Sequence, residues 1–226
     1  MRPVGILGGM GPEATILLMQ KVLAAVPARD DADHVPLIVH QNPQVPSRIK
    51  ALIDGQGEDP GPVLAQMARD LESAGAQALA MPCNTAHHYA PAVVAASGLP
   101  FLNMLDLTAA ALHDTGARRI GMLASPATRI AGVFDAPFTA QGLTAVTLPD
   151  DSGLLKIIRA VKAGDRGAES EAALLAEATS LLSAGADHLL VACTELSLLT
   201  HALPEGSDWL DSLDCLTDAI VTFARG

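Results

Sequence analysis

Two cysteines occupy matching points of an internal repeat. The run from Ser73 to Cys83 aligns with the run from Ser183 to Cys193, so each of two similar segments ends on a thiol, 110 residues apart. A weaker echo pairs Val4–Leu7 with Ile120–Leu123, at an offset of 116 residues. A thiol has a reference pKa of about 8.5, which a helix N-terminus or a nearby cation lowers, leaving a thiolate at neutral pH, and both cysteines read as lying at helix starts. Two thiols that face one carbon from opposite sides can remove a proton from one face and return one to the other, which is what inversion of that centre requires. Taken singly, either cysteine reads as a small buried hydrophobe, the usual fate of this residue. Their matched placement, ahead of the polar turns Asn84-Thr85 and Thr194-Glu195, favours the chemical reading.

Other residues are candidates to hold what the thiols would act on. Asn84, Thr85 and Thr194, with the backbone amides of their turns, have the donors that an α-carboxylate needs. The loop Gly8-Gly9-Met10-Gly11 lets backbone approach a ligand, or is simply a tight turn; its place after the first strand favours the former. Arg48, in a proline-stiffened loop, has the fork for a paired bond to a carboxylate, and Lys162 adds a point charge; as isolated cations both read more readily as solvated surface groups. Glu195 is a candidate acceptor for a substrate ammonium, or else favours the dipole of a helix start. His87 and His88 read as groups of a first helical turn rather than as partners of Cys83.

These residues need a frame that presents them together. Val4–Leu7, Val35–Val39, Gln77–Met81, Arg119–Ala124 and His188–Ala192 read as buried strands, and Glu13–Val26, Val63–Ser73, Leu107–Thr115, Gly153–Ala163 and Ala168–Ala184 as helices. Such alternation predicts an α/β fold with mainly parallel sheets. In such sheets the turns at the carboxyl ends of the strands line the ligand crevice. The repeat predicts two pseudo-symmetric α/β halves, each placing one cysteine at their shared cleft.

Composition narrows the partners. With 226 residues there is ample material for one large or two small cores. A net charge of −11 supplies no basic surface for nucleic acid or anionic lipid, and 3% aromatic residues supply few stacking platforms. No apolar run approaches the roughly 18 residues of a membrane span, and the chain enters its first strand without a separate targeting segment, so a cytoplasmic location is expected. Three cysteines without a CxxC pair predict free thiols rather than a disulfide framework or zinc site.

The stretches Gly8–Thr15, Asn42–Arg48, Pro82–His87 and Ala192–Leu196 together resemble the aspartate/glutamate racemase family over essentially the whole chain. Cys-Asn-Thr-Ala-His with Cys-Thr-Glu is similar to the aspartate racemase branch; the glutamate racemases of cell-wall synthesis have an Asp-Ser-Gly opening and Cys-Thr-His instead. The resemblance implies a racemase acting without pyridoxal phosphate, metal or other cofactor, usually as a homodimer, on a small amino acid held between two α/β domains. It implies that Cys83 and Cys193 are the catalytic pair, that Arg48 and Lys162 bind the substrate side chain, and that Asn84, Thr85, Ser125 and Thr194 hold its α-carboxylate, with Gly9, Met10 and Glu195 completing the site. It also implies that the C-terminal segment returns to the first domain, giving domains of residues 1–106 plus 208–226 and of 107–207. Ser47 and Ala192 depart from the aspartate and glycine that the family often has there; Cys215 matches no motif and reads as a core residue of the last helix.

Aspartate is the expected substrate, glutamate the next. Two alternatives stay open: decarboxylation or cis-trans isomerisation of a small dicarboxylic acid on the same frame, and a non-catalytic small-anion binding protein whose thiols are incidental.

Overall fold

The computed structural model describes residues 1–53 and 55–226. Its strands are β1 (Val4–Gly8), β2 (Leu37–Gln41), β3 (Ala78–Ala80), β4 (Phe101–Leu102), β5 (Arg119–Ala124), β6 (Thr144–Val146), β7 (His188–Ala192) and β8 (Trp209–Asp211). Its α-helices are α1 (Pro12–Ala24), α2 (Arg48–Leu52), α3 (Gly61–Ser73), α4 (Ala90–Ala96), α5 (Met104–Asp114), α6 (Pro126–Ile130), α7 (Asp135–Gln141), α8 (Ser152–Lys162), α9 (Ala168–Ser183) and α10 (Ser212–Arg225).

The strands form two four-stranded sheets, β2-β1-β3-β4 and β6-β5-β7-β8, and every pairing is parallel. The two orders are the same pattern repeated, so the α/β frame and the duplication predicted from sequence are both present. Within each half a glycine sits where a helix presses on the central strand. A Cβ on Gly5 would lie 2.9 Å from Ala76 Cβ and 3.1 Å from Leu71 Cβ; on Gly121 it would lie 3.0 Å from Ala186 Cβ and 3.1 Å from Leu181 Cβ. The same close approach recurs at repeat-related positions, which accounts for the glycine in both copies.

The regular elements start where local chemistry allows. Pro12 begins α1, where its missing N–H is not needed. Ser47, Asn103, Ser125 and Asp211 cap α2, α5, α6 and α10, each side chain accepting from a first-turn N–H. β2 begins two residues later than predicted. Pro36 cannot donate to a ladder, so Val35 precedes the strand rather than opening it. β4, β6 and β8, of two or three residues, are too short to show an alternation in sequence.

The helices that follow the last strand of each sheet are exchanged. Leu213, Leu216 and Ile220 of α10 pack with Val4 and Ile6 of β1 and Leu18 and Val22 of α1, while Leu105, Ala109 and Leu112 of α5 pack with Ile120 and Met122 of β5. The segment 208–226 therefore serves both halves: its strand β8 completes the second sheet beside β7, and its helix covers the first.

Candidate active site

The carboxyl ends of β3 and β7 carry the two thiols. Cys83 follows β3 and is 9% exposed; Cys193 follows β7 and is partly buried. Both line one cavity of about 480 Å³, part of it open to solvent. It is also lined by Met10, Arg48, Asn84, Thr85, Ser125, Lys162, Thr194 and Glu195, so nearly every residue singled out in the sequence meets there. Gly9 does not line it. With φ at +95°, Gly9 presses on the Asn42 backbone, where a Cβ would come within 2.4 Å, and its N–H is bound by Thr15 Oγ1 at 2.9 Å. Ser47 and Ala192, the two departures from the family pattern, line it as well, and Ile49 and Ile158 do so without having been expected to, since an aliphatic side chain carries no signal of a binding role.

Neither cysteine opens an α-helix, as the sequence suggested; each leads into a 3-10 turn, Thr85–Tyr89 or Leu196–Ala202. Nor does the Cys193 thiol have a lowered pKa. Burial pushes it well above its ordinary value, and the carboxylate of Glu195 acts in the same direction, against a smaller pull from Lys162. Cys193 Sγ donates to Glu195 Oε2 at 3.0 Å, and Glu195 Oε1 lies 3.3 Å from Lys162 Nζ. The ordering thiol, carboxylate, ammonium leaves Cys193 holding its proton at neutral pH.

Arg48 opens α2 instead of lying in a loop. Its Nη1 donates to the carbonyls of Pro46 at 2.9 Å and Val45 at 3.2 Å, which fixes one side of the fork and leaves the rest of the guanidinium for a ligand. Across the cleft, Thr85 of the first half meets Ser125 and Thr128 of the second. Thr85 Oγ1 is 2.8 Å from Thr128 Oγ1 and 3.3 Å from Ser125 Oγ, and those two are 3.0 Å apart, a ring of three hydroxyls that a carboxylate can open to gain donors.

His87 is a scaffold group. It is buried, its Nδ1 bonds the Cys83 carbonyl at 2.8 Å, and the Met104 N–H donates to its Nε2 at 3.3 Å. Burial lowers its pKa to about 4, so the ring is neutral and ties the Cys83 turn to the start of α5. His88 is exposed, and Cys215 is partly buried in α10, away from the cavity.

Comparison with known proteins bears on this arrangement. The family model described as Asp/Glu/Hydantoin racemase matches residues 7–220. The chain is similar, at 24% identity over 97% of its length and 96% of the relative's, to the broad specificity amino-acid racemase RacX of Bacillus subtilis (strain 168). It superposes on the aspartate racemase of Picrophilus torridus with a TM-score of 0.84 and 30% identity, covering 100% of this chain and 95% of that one. It also shares its fold with an aspartate racemase homologue from Pyrococcus horikoshii OT3, at a TM-score of 0.77 and 21% identity, each chain being fully covered. Among the described residues no helix is long and apolar enough to cross a membrane.

Proposed function

Because the chain belongs to the Asp/Glu/Hydantoin racemase family, we propose that it interconverts the L and D forms of an acidic amino acid, aspartate first and glutamate next, with Cys83 and Cys193 as acid and base and no cofactor. The observation that carries this reading is the convergence of both thiols on one cavity that also holds Arg48 and Lys162. Arg48 and Lys162 place two cations in that cavity, available to the side-chain carboxylate of such a substrate.

The thiolate of one cysteine takes the α-proton. The electron pair of the broken C–H bond passes into the substrate α-carboxylate, where the hydroxyls of Thr85 and Ser125 and the turn amides stabilise the added charge. The thiol of the other cysteine protonates the opposite face. In the ligand-free protein Cys193 holds its proton, bonded to Glu195. Each cysteine serves as base for one enantiomer and as acid for the other.

Racemisation of L-aspartate, L-glutamate and a panel of neutral amino acids tests this, with wild type, Cys83→Ser and Cys193→Ser, no cofactor added, and solvent deuterium at the α-carbon as a second readout. The expected result is turnover of an acidic substrate that either variant abolishes. Activity confined to neutral substrates would replace the acidic reading; the pairing of Lys162 with Glu195 and the broad-specificity Bacillus relative favour that as the second reading. Turnover that survives loss of both thiols would sink the mechanism. The homodimer and the cytoplasmic location expected from sequence remain part of the proposal, to be checked by solution mass and by fractionation.

A further inference from the structure

Ser212, the first residue of α10, is fully buried and is not among the residues lining the cavity. Its Oγ donates to the Val191 carbonyl at 3.1 Å and receives the Asn84 side-chain N–H at 2.9 Å. A serine hydroxyl has one proton, and a carbonyl can only accept. With that proton committed to Val191, Ser212 can meet Asn84 only as an acceptor. This determines which end of the Asn84 amide faces Ser212: it is the nitrogen. The oxygen end, Oδ1, is buried and has no hydrogen-bond partner, in a residue that is 3% exposed and lines the cavity with both thiols. A buried carbonyl oxygen without a donor is costly, and here a ligand can supply one.

We propose that Ser212 is a positioning residue for substrate recognition: it holds Asn84 with the amide nitrogen turned toward α10 and the oxygen free to accept from the ammonium group of an α-amino acid. The inference rests on the amino-acid racemase reading and assigns Asn84 to the ammonium rather than to the α-carboxylate. The same hydroxyl links the turn that follows Cys83 to Val191, in the strand that ends immediately before Cys193. One buried proton therefore sets a polarity in the site that neither cysteine turn sets by itself.

The test compares binding of aspartate with binding of succinate, which has the same two carboxylates and no ammonium, by calorimetry on wild type, Ser212→Ala, Asn84→Ala and the double variant. Ser212→Ala is expected to weaken aspartate about tenfold, the loss of one charge-assisted bond, and to leave succinate within about twofold. The effect should vanish in the Asn84→Ala background. Equal weakening of both ligands, or an effect that persists without Asn84, overturns the proposal. If Ser212→Ala does not fold, Asn84→Ala decides alone: it should lose the preference for aspartate over succinate, and retention of that preference overturns the assignment. Wild type that prefers aspartate but racemises nothing removes the racemase reading and leaves the ammonium contact standing. Intact racemisation with unchanged discrimination in Ser212→Ala removes this inference alone.

Discussion

Cys193 Sγ donates to Glu195 Oε2 across 3.0 Å, so the thiol and the carboxylate two residues on share a single proton path. After burial, Glu195 is the next cause of the raised Cys193 pKa. Replacing Glu195 by Gln removes that charge and leaves Lys162 to favour the thiolate. Alkylation of Cys193 at pH 8 should accelerate about three- to tenfold, and the basic limb of the racemisation profile should move to lower pH. An unchanged alkylation rate would mean that the carboxylate does not govern the thiol.

Arg48 is held by the Val45 and Pro46 carbonyls on one side of its fork. Lysine retains the charge but has neither the fork nor the tether. Arg48→Lys should raise KM for aspartate about tenfold or more while changing kcat much less, the mark of an interaction made equally in ground and transition states. Steady-state kinetics would reveal the contrary case, in which kcat alone falls and Arg48 acts in the chemical step.

Asp211 caps α10 through Leu213 N–H, and burial lifts its pKa to about 6 from 3.8. A carboxyl that holds its proton more tightly when folded contributes stability that is complete below about pH 4 and lost as pH rises through about 6. Neutral His87, lowered to about 4, contributes in the opposite sense over the same range: its stability is present above about 6.5 and lost on acidification. Asp211→Asn keeps the capping oxygen and cannot ionise. Relative to wild type it should gain up to about 3 kcal/mol between pH 4 and 6 and then level off, with the His87 slope exposed. Urea unfolding at a series of pH values checks this; parallel curves for the two proteins would refute it.

Gly5 and Gly121 each face an alanine and a leucine at about 3 Å from where a Cβ would stand. Alanine at either position should cost about 1–3 kcal/mol by overpacking, with similar values at the two repeat-related sites. Thermal or chemical unfolding measures both. A neutral Gly121→Ala beside a costly Gly5→Ala would show that the halves are packed unequally despite their common pattern.

What could be read in the sequence was periodic or repeated. The Ser73–Cys83 and Ser183–Cys193 copies revealed β3, β7 and both thiols, because a buried parallel strand is a continuous apolar run and a duplication marks it twice. The direction of the Cys193 shift was not legible. Position at a turn suggested a stabilised thiolate, but burial and a carboxylate 3.0 Å away dominate, and both depend on folded geometry. Ser212 gave no sign of its role, since it bonds a residue 128 positions away and its type is common. Arg48 reads as a loop residue because a five-residue helix spans little more than one helical turn, too little to show a period.

The exchange of α5 and α10 means that neither copy of the repeat owns a complete interior. Cut at the repeat boundary, each piece would leave one sheet face bare and bring a helix shaped for the other. The duplication thus yielded two sheets but not two modules, and the walls of the cleft are expected to lose their order together. Any opening that admits substrate must bend the strand-to-helix joints at Asn103 and Ser212 without unseating the helices beyond them.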